Sequence, residues 1–336
     1  MKRYIVVGGG IAGMMTAWTL HQRNALHKIY ISPQHKTASL IAAGVINPIT
    51  GIRFAKTWMA DEIFPFTFET YRFIEQQLNV SFFQLTKIFR IAETVTQLND
   101  WSARSESDSF QPYISDDNDI SPFIGKVRMG QGGFFIAGAA KINVTALMGA
   151  LAKYFEIQGM LVSEKFDTDS DQSGVIFCEG IEILKSNSFQ KNPIVPVKGH
   201  YLVCAIPELK TNFIIHGKAT IIPQPDGNFR VGSTYQRGDI SAMPDDTQIA
   251  LLEEWLKETI QTPYEVKDVL VGIRPSSVDR RPILGALDKE KNIYVFNGLG
   301  TKGYSLAPYF ANHLCRHILD SESVMDEVNV NRFSYS

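Results

Sequence analysis

The chain has 336 residues, of which 44% are hydrophobic, so it is long enough for two domains or for one domain with a large insertion. Its formal net charge of −2 gives no reason to expect nucleic acid or an anionic membrane as the main partner. No apolar run approaches the ~20 residues of a membrane-spanning helix, glycines interrupt the N-terminal apolar run, and three scattered cysteines indicate a reducing compartment. We therefore predict a cytoplasmic protein without a membrane partner.

The N-terminal stretch "RYIVVGGGIAGMMTAWTL" predicts a strand, a glycine-rich turn and a helix at Ile11–Gln22. Gly8, Gly10 and Gly13 form a G-x-G-x-x-G motif. The first allows a tight turn, the second lets backbone approach a pyrophosphate, and the third lets the helix pack close to the strand. With a second strand at His27–Ile31, this β-α-β unit predicts a dinucleotide site.

The second strand ends without the carboxylate that normally holds a ribose hydroxyl in such a site. Ser32 and Pro33 follow it, and His35 and Lys36 lie just beyond. A small hydroxyl beside cations suits a 2′-phosphate, so these residues alone favour NADP. Alternatively, Ser32 hydrogen-bonds a ribose weakly while His35 and Lys36 lie in a solvated turn. The local sequence leaves both interpretations open.

The middle of the chain alternates helical and strand patterns. Polar residues over 99–122 predict a solvated excursion, and Asn143 is the predicted N-cap of the next helix. "ATIIPQPDGNFRVGSTY" predicts an antiparallel hairpin over "PDG". The other predicted elements are helices at 60–78, Val144–Phe155 and Asp246–Ile260, strands at 82–93, Gly159–Phe166, Gly174–Cys178 and "HYLVCAI", and a C-terminal strand, turn and helix in "NIYVFNGLGTKGYSLAPYFANHLCRHIL".

Nucleotide-binding elements thus lie at both ends of the chain, with antiparallel strands between them. This order predicts an α/β fold, with a Rossmann-like nucleotide-binding domain and an inserted substrate domain built on a mainly antiparallel β-sheet. We assign residues 1–48, 138–196 and 265–336 to the nucleotide-binding domain and residues 49–137 and 197–264 to the substrate domain.

Four further segments carry a resemblance. "ASLIAAGVINP", "VPVKGHYLV", "GIRPSSVDRRPILG" and the second glycine-rich turn "VFNGLGTKGYSLAP" together resemble the glycine oxidase/D-amino-acid oxidase family of FAD-dependent oxidoreductases. The resemblance covers residues 1–50 and 140–320. The C-terminal pair of segments, in this order and spacing, is more specific than the N-terminal motif. The resemblance implies that the cofactor is FAD and that Ser32 weakly replaces the missing ribose-binding acid.

In that family FAD lies extended, and the resemblance implies that its isoalloxazine ring contacts Ala42–Ile46 and the turn Gly300–Ser305. "IFCEG" departs from the family's A-[ST]-G pattern, so only Gly180 matches there. Gly272 stands where sarcosine-oxidase relatives attach flavin covalently, so we expect non-covalent FAD. The implied FAD-binding residues are Gly8, Gly10, Ile11, Ala12, Gly13, Ser32, Pro33, Ser39, Ala42, Ala43, Gly44, Val45, Phe166, Gly180, Arg274, Gly300, Thr301, Lys302, Gly303, Tyr304 and Ser305.

Three residues are candidates for catalysis. Arg274 matches the arginine of the family's G-[IL]-R-P segment, which implies bidentate binding of an amino-acid carboxylate; the alternative is pairing with Asp279 or with a backbone carbonyl. Lys302, beside the N-terminus of the last helix, is placed to favour anionic reduced flavin, or it is a solvent-facing lysine of the turn. Tyr235 is expected over the flavin, or it only packs in its strand.

The substrate pocket differs from that of glycine oxidases, to judge from the same resemblance. Thr220 is smaller than the tyrosine expected there, which argues against glycine as the substrate, and His216 lies near it. Thr301 replaces a basic residue. His313 and His317 flank Cys315 at a spacing that can bind a metal, but they are interpreted as a solvated helix face, and no metal site is predicted.

The resemblance implies oxidation of a small amine or amino acid by hydride transfer to flavin N5, which gives an imine. The electron acceptor is O2 or another acceptor. Three alternatives stay open: a flavin-binding sensor or assembly protein without turnover, an NADP-dependent reductase, and an amine oxidoreductase acting on the tRNA wobble uridine, which "GLGTKGYSLAP" also resembles. The charge of −2 and acidic runs such as "SDDND" argue against the tRNA.

Overall fold

The computed structural model describes residues 2–33, 37–116, 119–167, 174–185 and 193–333. The helices are α1 Ile11–Gln22, α2 Ala38–Ile41, α3 Ala60–Leu78, α4 Val95–Ser105, α5 Val144–Ile157, α6 Asp246–Thr259 and α7 Gly303–Asp320. The strands are β1 Tyr4–Val7, β2 Leu26–Tyr30, β3 Val45–Ile46, β4 Ile49–Thr50, β5 Ala55–Lys56, β6 Phe83–Ile91, β7 Gly133–Ile142, β8 Leu161–Val162, β9 Val175–Phe177, β10 Ile194–Ala205, β11 Ile214–His216, β12 Thr220–Pro223, β13 Phe229–Gly232, β14 Gln236–Arg237, β15 Glu265–Ser277, β16 Ile283–Asp288 and β17 Ile293–Asn297.

The first of two large sheets has six strands in the order β16-β17-β9-β1-β2-β8. All neighbours pair in parallel except β16 with β17. Helix α1 connects β1 to β2, and most of its side chains are buried, as expected for a crossover helix packed between a sheet and other helices. Because parallel strands end at one edge of a sheet, the loops after β1, β2 and β9 converge there.

The second large sheet has nine strands, in the order β14-β10-β13-β12-β11-β6-β7-β3 with β15 also paired to β10. Its pairings are antiparallel except β11 with β6. Strands β10 and β15 pair along nearly their whole length, from Ile194 opposite Ser277 to Ala205 opposite Glu265. The two sheets together confirm the predicted fold class.

Most predicted elements are present within one or two residues of their expected bounds. Asn143 is the N-cap of α5, where its side-chain oxygen accepts a hydrogen bond from the Ala146 amide at 3.1 Å. The predicted hairpin over "PDG" is the antiparallel pair β12 and β13. The predicted strand Gly159–Phe166 is reduced to β8, two residues long.

The prediction of a solvated excursion over 99–122 is wrong in part. Helix α4 extends to Ser105, and a 3₁₀ turn follows at Asp108–Tyr113. Trp101, Phe110 and Tyr113 are buried, because these aromatic side chains anchor an otherwise polar segment to the core. Residues 117–118, within the acidic run, lie outside the described residues.

Strands of the nine-stranded sheet cross the predicted domain boundaries. β7 spans residue 138, β10 spans residue 197, and β15, which was assigned to the nucleotide-binding domain, pairs with β10. The residue pattern of a long strand does not change where the strand crosses a domain boundary, so the sequence alone does not mark such a boundary. The division into domains remains a prediction. Among the described residues, no helix is both long enough and apolar enough to span a bilayer.

Candidate functional site

A cavity of about 1280 Å³ lies between the two large sheets. Small-molecule sites usually have volumes of roughly 300–1,000 Å³, so this one has room for an extended cofactor together with a second small ligand. We call the part lined by the loops after β1, β2, β8 and β9 the turn region. We call the part lined by β10–β13 and β15, with Arg274, Thr220 and His216, the sheet region.

The wall of the turn region begins with the glycine-rich turn after β1. Gly8 has φ +125, a conformation that favours glycine. A methyl group on Gly13 would overlap the Gly8 carbonyl oxygen, so Gly13 lets α1 pack against the turn and does not itself line the cavity. Gly10, Ile11 and Ala12 do line it, and the first turn of α1 contains no acidic residue. The N-terminus of α1 therefore offers amide groups and a positive dipole to a phosphate.

Three other loops complete the turn region. Ser32, directly after β2, lines the cavity, whereas Pro33 does not. Phe166 and Gly180 line it from the loops after β8 and β9. His35 and Lys36, on which the NADP interpretation depended, lie outside the described residues.

The segment from Ser39 to Val45 connects the two regions, and Ser39, Ala42, Ala43, Gly44 and Val45 all line the cavity. Ser39 Oγ accepts a hydrogen bond from the Ile11 amide at 2.9 Å. Arg230, on β13, donates from one guanidinium nitrogen to the carbonyls of Ile41 at 3.0 Å and Ala42 at 2.7 Å. Sequence reasoning missed Arg230, which no local pattern distinguishes from other strand arginines.

The C-terminal turn lines the cavity from Gly300 to Ser305. Lys302 Nζ donates to Thr57 Oγ1 at 3.0 Å, and burial, followed by the charge of Arg281, lowers the pKa of Lys302 to about 8. It is therefore not the solvent-facing lysine of the alternative interpretation. The Tyr304 hydroxyl donates to the Ser39 carbonyl at 2.8 Å, which ties this turn to the Ser39–Val45 segment.

Arg274 lies on β15 at the edge of the sheet region. Its guanidinium donates to Ser233 Oγ at 2.6 Å and to the Thr234 carbonyl at 3.3 Å. Any side chain larger than hydrogen at Gly199, on the adjacent β10, would overlap the guanidinium. Among the described residues no carboxylate pairs with Arg274, and Asp279 binds Arg332 instead at 2.7 Å. The Asp279 alternative is therefore wrong, whereas the bond to Thr234 is a backbone-carbonyl contact of the kind that the other alternative expected. Together with the bond to Ser233 it uses two of the five guanidinium donors.

Of the remaining residues that the sequence predicted for the substrate pocket, some line the cavity and one does not. Thr220 Oγ1 and His216 Nδ1 are 2.8 Å apart, and both residues line the cavity beside Thr301 and Gly272. Tyr235, by contrast, is 49% exposed and is not part of the lining. Strand β13 ends at Gly232, so Tyr235 is not on the strand that the resemblance implied would carry it over the flavin.

His313 and His317 on α7 contact the chain that follows the helix. His313 Nε2 accepts from the Met325 amide at 3.1 Å, and His317 Nδ1 lies 2.6 Å from the Glu322 carbonyl oxygen. Within the described ranges, no group of three histidine, cysteine or acidic side chains is arranged to hold a metal ion.

Comparisons with known proteins agree with this geometry. A family model described as FAD dependent oxidoreductase matches residues 3–317. The glycine oxidase of Bacillus subtilis is 26% identical over 353 residues, covering 92% of this chain and 91% of that protein. The crystal structure of glycine oxidase from Geobacillus kaustophilus superposes with a TM-score of 0.78 over 96% of both chains, at 17% identity.

A bifunctional relative is also similar. The tRNA 5-methylaminomethyl-2-thiouridine biosynthesis bifunctional protein of Campylobacter concisus is 25% identical over 317 residues, which cover 86% of this chain but only 48% of that protein.

Proposed function

Because the chain belongs to the family of FAD-dependent oxidoreductases, we propose that it oxidises a small amine or amino acid to an imine. The family match confirms the predictions of FAD and of an oxidoreductase enzyme, and FAD as the cofactor removes the basis for the NADP reductase. The reduction experiment described below separates amine oxidation from a flavin sensor without turnover. The substrate and the roles of individual residues are our proposals.

The residues of the turn region fit FAD. Backbone at Gly8 and Gly10, with the N-terminus of α1, suits the pyrophosphate, because the first turn of the helix contains no acidic residue. The Ile11 amide donates to Ser39 Oγ, so a phosphate would share this amide with Ser39 or use its neighbours. The loops at Phe166 and Gly180 suit the adenosine half. The Ala42–Val45 segment and the Gly300–Ser305 turn suit the isoalloxazine ring, and with Gly272 in the lining we propose non-covalent binding. Pro33 and Gly13 would act only by shaping these loops.

The observation that carries the substrate proposal is the Arg274 guanidinium, which lies at the cavity without a carboxylate partner among the described residues. A planar fork with unused donors binds a carboxylate in two parallel hydrogen bonds. Ser233 and Thr234 would hold the fork in place on one side. The substrate is then an amino acid, or another amine that bears a carboxylate.

When bound, FAD would supply a two-electron acceptor at N5 for a hydride from the carbon that bears the nitrogen. The substrate would be left as a protonated imine, which becomes the imine by losing a proton to solvent. Arg274 orients the substrate so that this carbon faces the acceptor. Lys302, with a pKa of about 8, is partly neutral near that pH, and it sets the local charge at the Gly300–Ser305 turn. The geometry gives no support to the predicted role of Tyr235 in catalysis. Electrons then pass to O2 or another acceptor.

The test is anaerobic reduction of the purified holoenzyme, followed by its visible absorption. We would add glycine, sarcosine, proline and D-amino acids one at a time, with the decarboxylated amine of each as its matched control. Loss of the oxidised-flavin bands with a carboxylate-bearing amine, and not with its control, is the expected result. Reduction by the controls alone would contradict the role of Arg274, and reduction by no amine would contradict the proposed reaction.

One observation favours a second candidate, oxidation of a secondary amine on tRNA: the similarity to the bifunctional tRNA-modifying protein extends over 86% of this chain. The net charge of −2 opposes it, since tRNA-binding surfaces are basic. Retarded migration of tRNA with the protein at low salt would favour this candidate. Unchanged migration, with reduction by a free amino acid, would leave the first proposal standing.

A further inference from the structure

The six-stranded sheet places two residues on opposite sides of the glycine-rich turn. Val7, the last residue of β1, pairs with Tyr30 of β2 on one side and with Phe177 of β9 on the other. Two residues beyond these partners stand Ser32 and Glu179. Ser32 occupies the position where a dinucleotide site normally carries its ribose-binding acid, and Glu179 occupies the equivalent position on the opposite neighbour of β1.

Glu179 is held close to the turn. The Cys178 amide donates to the Val7 carbonyl at 2.7 Å, and a methyl group on Gly8 would lie within 3.2 Å of the Glu179 amide nitrogen. Glu179 lines the cavity with Gly8, Ser32 and Phe166, so this residue belongs to the turn region.

The carboxyl group of Glu179 is partly buried, and no hydrogen bond or ion pair reaches it from the described part of the chain. Burial, followed by the charge of Glu182, raises its pKa to about 7, and Lys165 opposes this shift. Glu182 pairs with Lys185 at 2.7 Å, so it does not satisfy Glu179. A buried acid without a partner is costly unless a ligand supplies the missing donors.

We propose that Glu179 supplies the ribose-binding carboxylate that the second strand lacks, by accepting a hydrogen bond from an adenosine ribose hydroxyl of FAD. Ser32, on the other side of the turn, is too short and too weak an acceptor to do this alone. Lys165 balances the added negative charge. A carboxylate in this position also repels a 2′-phosphate, so the same residue favours FAD over NADP.

This inference rests on FAD as the cofactor and not on amine oxidation, so the test needs no substrate. FAD, its 2′-deoxyadenosine and 3′-deoxyadenosine analogues, and FMN are titrated into cofactor-free protein, and binding is followed by flavin fluorescence. The titrations are done at pH 8, where a carboxyl group with a pKa of about 7 is mostly ionised. Variants are Glu179→Gln and Glu179→Ser, with Glu156→Gln as the matched control, since Glu156 is exposed on α5 and lies outside the cavity lining.

We expect Glu179→Gln and Glu179→Ser to raise the Kd for FAD about tenfold or more, the usual effect of losing a hydrogen bond to a charged group. The native protein should bind one of the two deoxy analogues about as weakly as the Glu179 variants bind FAD. The variants should bind that analogue no more weakly than they bind FAD. Glu156→Gln should bind FAD normally, and FMN, which lacks the adenosine half, should bind all proteins alike.

Native FAD affinity in both Glu179 variants would overturn the proposal. The proposal would also be overturned if removing a ribose hydroxyl from FAD lowered its affinity equally for the native protein and for the variants. That hydroxyl would then be bound by a group other than Glu179. A weakened FMN affinity in the variants would place Glu179 beside the flavin and would also overturn it. A melting temperature measured for each cofactor-free variant separates these results from misfolding, and Glu179→Ser, with the smaller side chain of the family pattern, serves if Glu179→Gln does not fold.

Discussion

Beside β1, the turn region is lined by three consecutive glycines, Gly8–Gly10, which have no side chains, whereas the sheet region is lined by residues with polar side chains, such as Arg274, His216 and Thr220, on paired strands. A backbone wall works because side chains are absent, so any addition obstructs it. A wall of side chains can lose one group while the strands beneath keep their pairing. The two regions should therefore respond differently to substitution: the first through folding and cofactor content, the second through substrate.

The largest effect is expected from Gly13→Ala, which breaks the turn region. The new methyl group would overlap the Gly8 carbonyl oxygen and force α1 away from β1. We expect a loss of unfolding free energy of about 4 kcal/mol or more, together with loss of FAD. Thermal unfolding and flavin content measure both. Gly149→Ala in α5 is the control, because nothing lies within 4 Å of a methyl group there; equal behaviour of the two variants would contradict the packing argument.

Arg274→Ala should impair substrate binding in the sheet region and leave FAD binding in the turn region unchanged. We expect kcat/KM for a carboxylate-bearing amine to fall by about 2–4 kcal/mol in transition-state free energy, because the substrate carboxylate loses its partner. FAD content and melting temperature should hardly change. Steady-state kinetics with the amino acid and with its decarboxylated amine make the measurement. If both substrates lose activity equally, Arg274 does not bind the carboxylate.

The third prediction concerns Lys302, in the Gly300–Ser305 turn, and the pH dependence of the unfolding free energy. The pKa of Lys302 falls from 10.5 to about 8 on folding, so between these values the unfolded chain binds more protons and stability rises with pH. Cofactor-free native protein should gain roughly 2 kcal/mol of unfolding free energy between pH 8 and 10.5 from this residue. Denaturant titrations across that range should show the gain reduced in Lys302→Met. The same pH slope in both proteins would show that Lys302 is not the source.

The smallest effect is expected from Tyr235→Phe and Tyr235→Ala. The side chain is half exposed and outside the cavity lining, so unfolding free energy and transition-state free energy should change by no more than about 0.5 kcal/mol. Kinetics on the same amine make the comparison with Arg274→Ala direct. A loss as large as that of Arg274→Ala would restore Tyr235 to the catalytic candidates.

Sequence reasoning succeeded where the determinant was local. The spacing of Gly8, Gly10 and Gly13 fixes a turn through steric limits that act within a few residues, and the Asn143 N-cap needs only the next three residues. The helix α1 and the hairpin β12–β13 were predictable for the same reason. The cofactor and Arg274 required a family resemblance, because an arginine on a strand has no local signature of its ligand.

The parts that were missed depend on distant pairings. Glu179 faces the glycine-rich turn only because β9 lies beside β1, 170 residues away in the sequence. The expectation for Tyr235 came from the family resemblance, and it finds no support because β13 ends at Gly232 and Tyr235 lies outside the cavity lining. The division into domains, which remains a prediction, also involves distant pairings, because β7 and β10 cross the predicted boundaries and β15 pairs with β10. None of these relations can be read from periodicity alone.

Arg230 has a consequence for modular engineering of the fold. Its single guanidinium nitrogen attaches the hairpin of the nine-stranded sheet to the Ile41 and Ala42 carbonyls, which belong to a segment far earlier in the chain. A chimera that takes its nine-stranded sheet from another protein would lose these two hydrogen bonds, unless that protein also has an arginine at the position of Arg230. Exchange of specificity between relatives is therefore constrained by a residue of the exchanged sheet that binds the backbone of the retained part at Ile41 and Ala42.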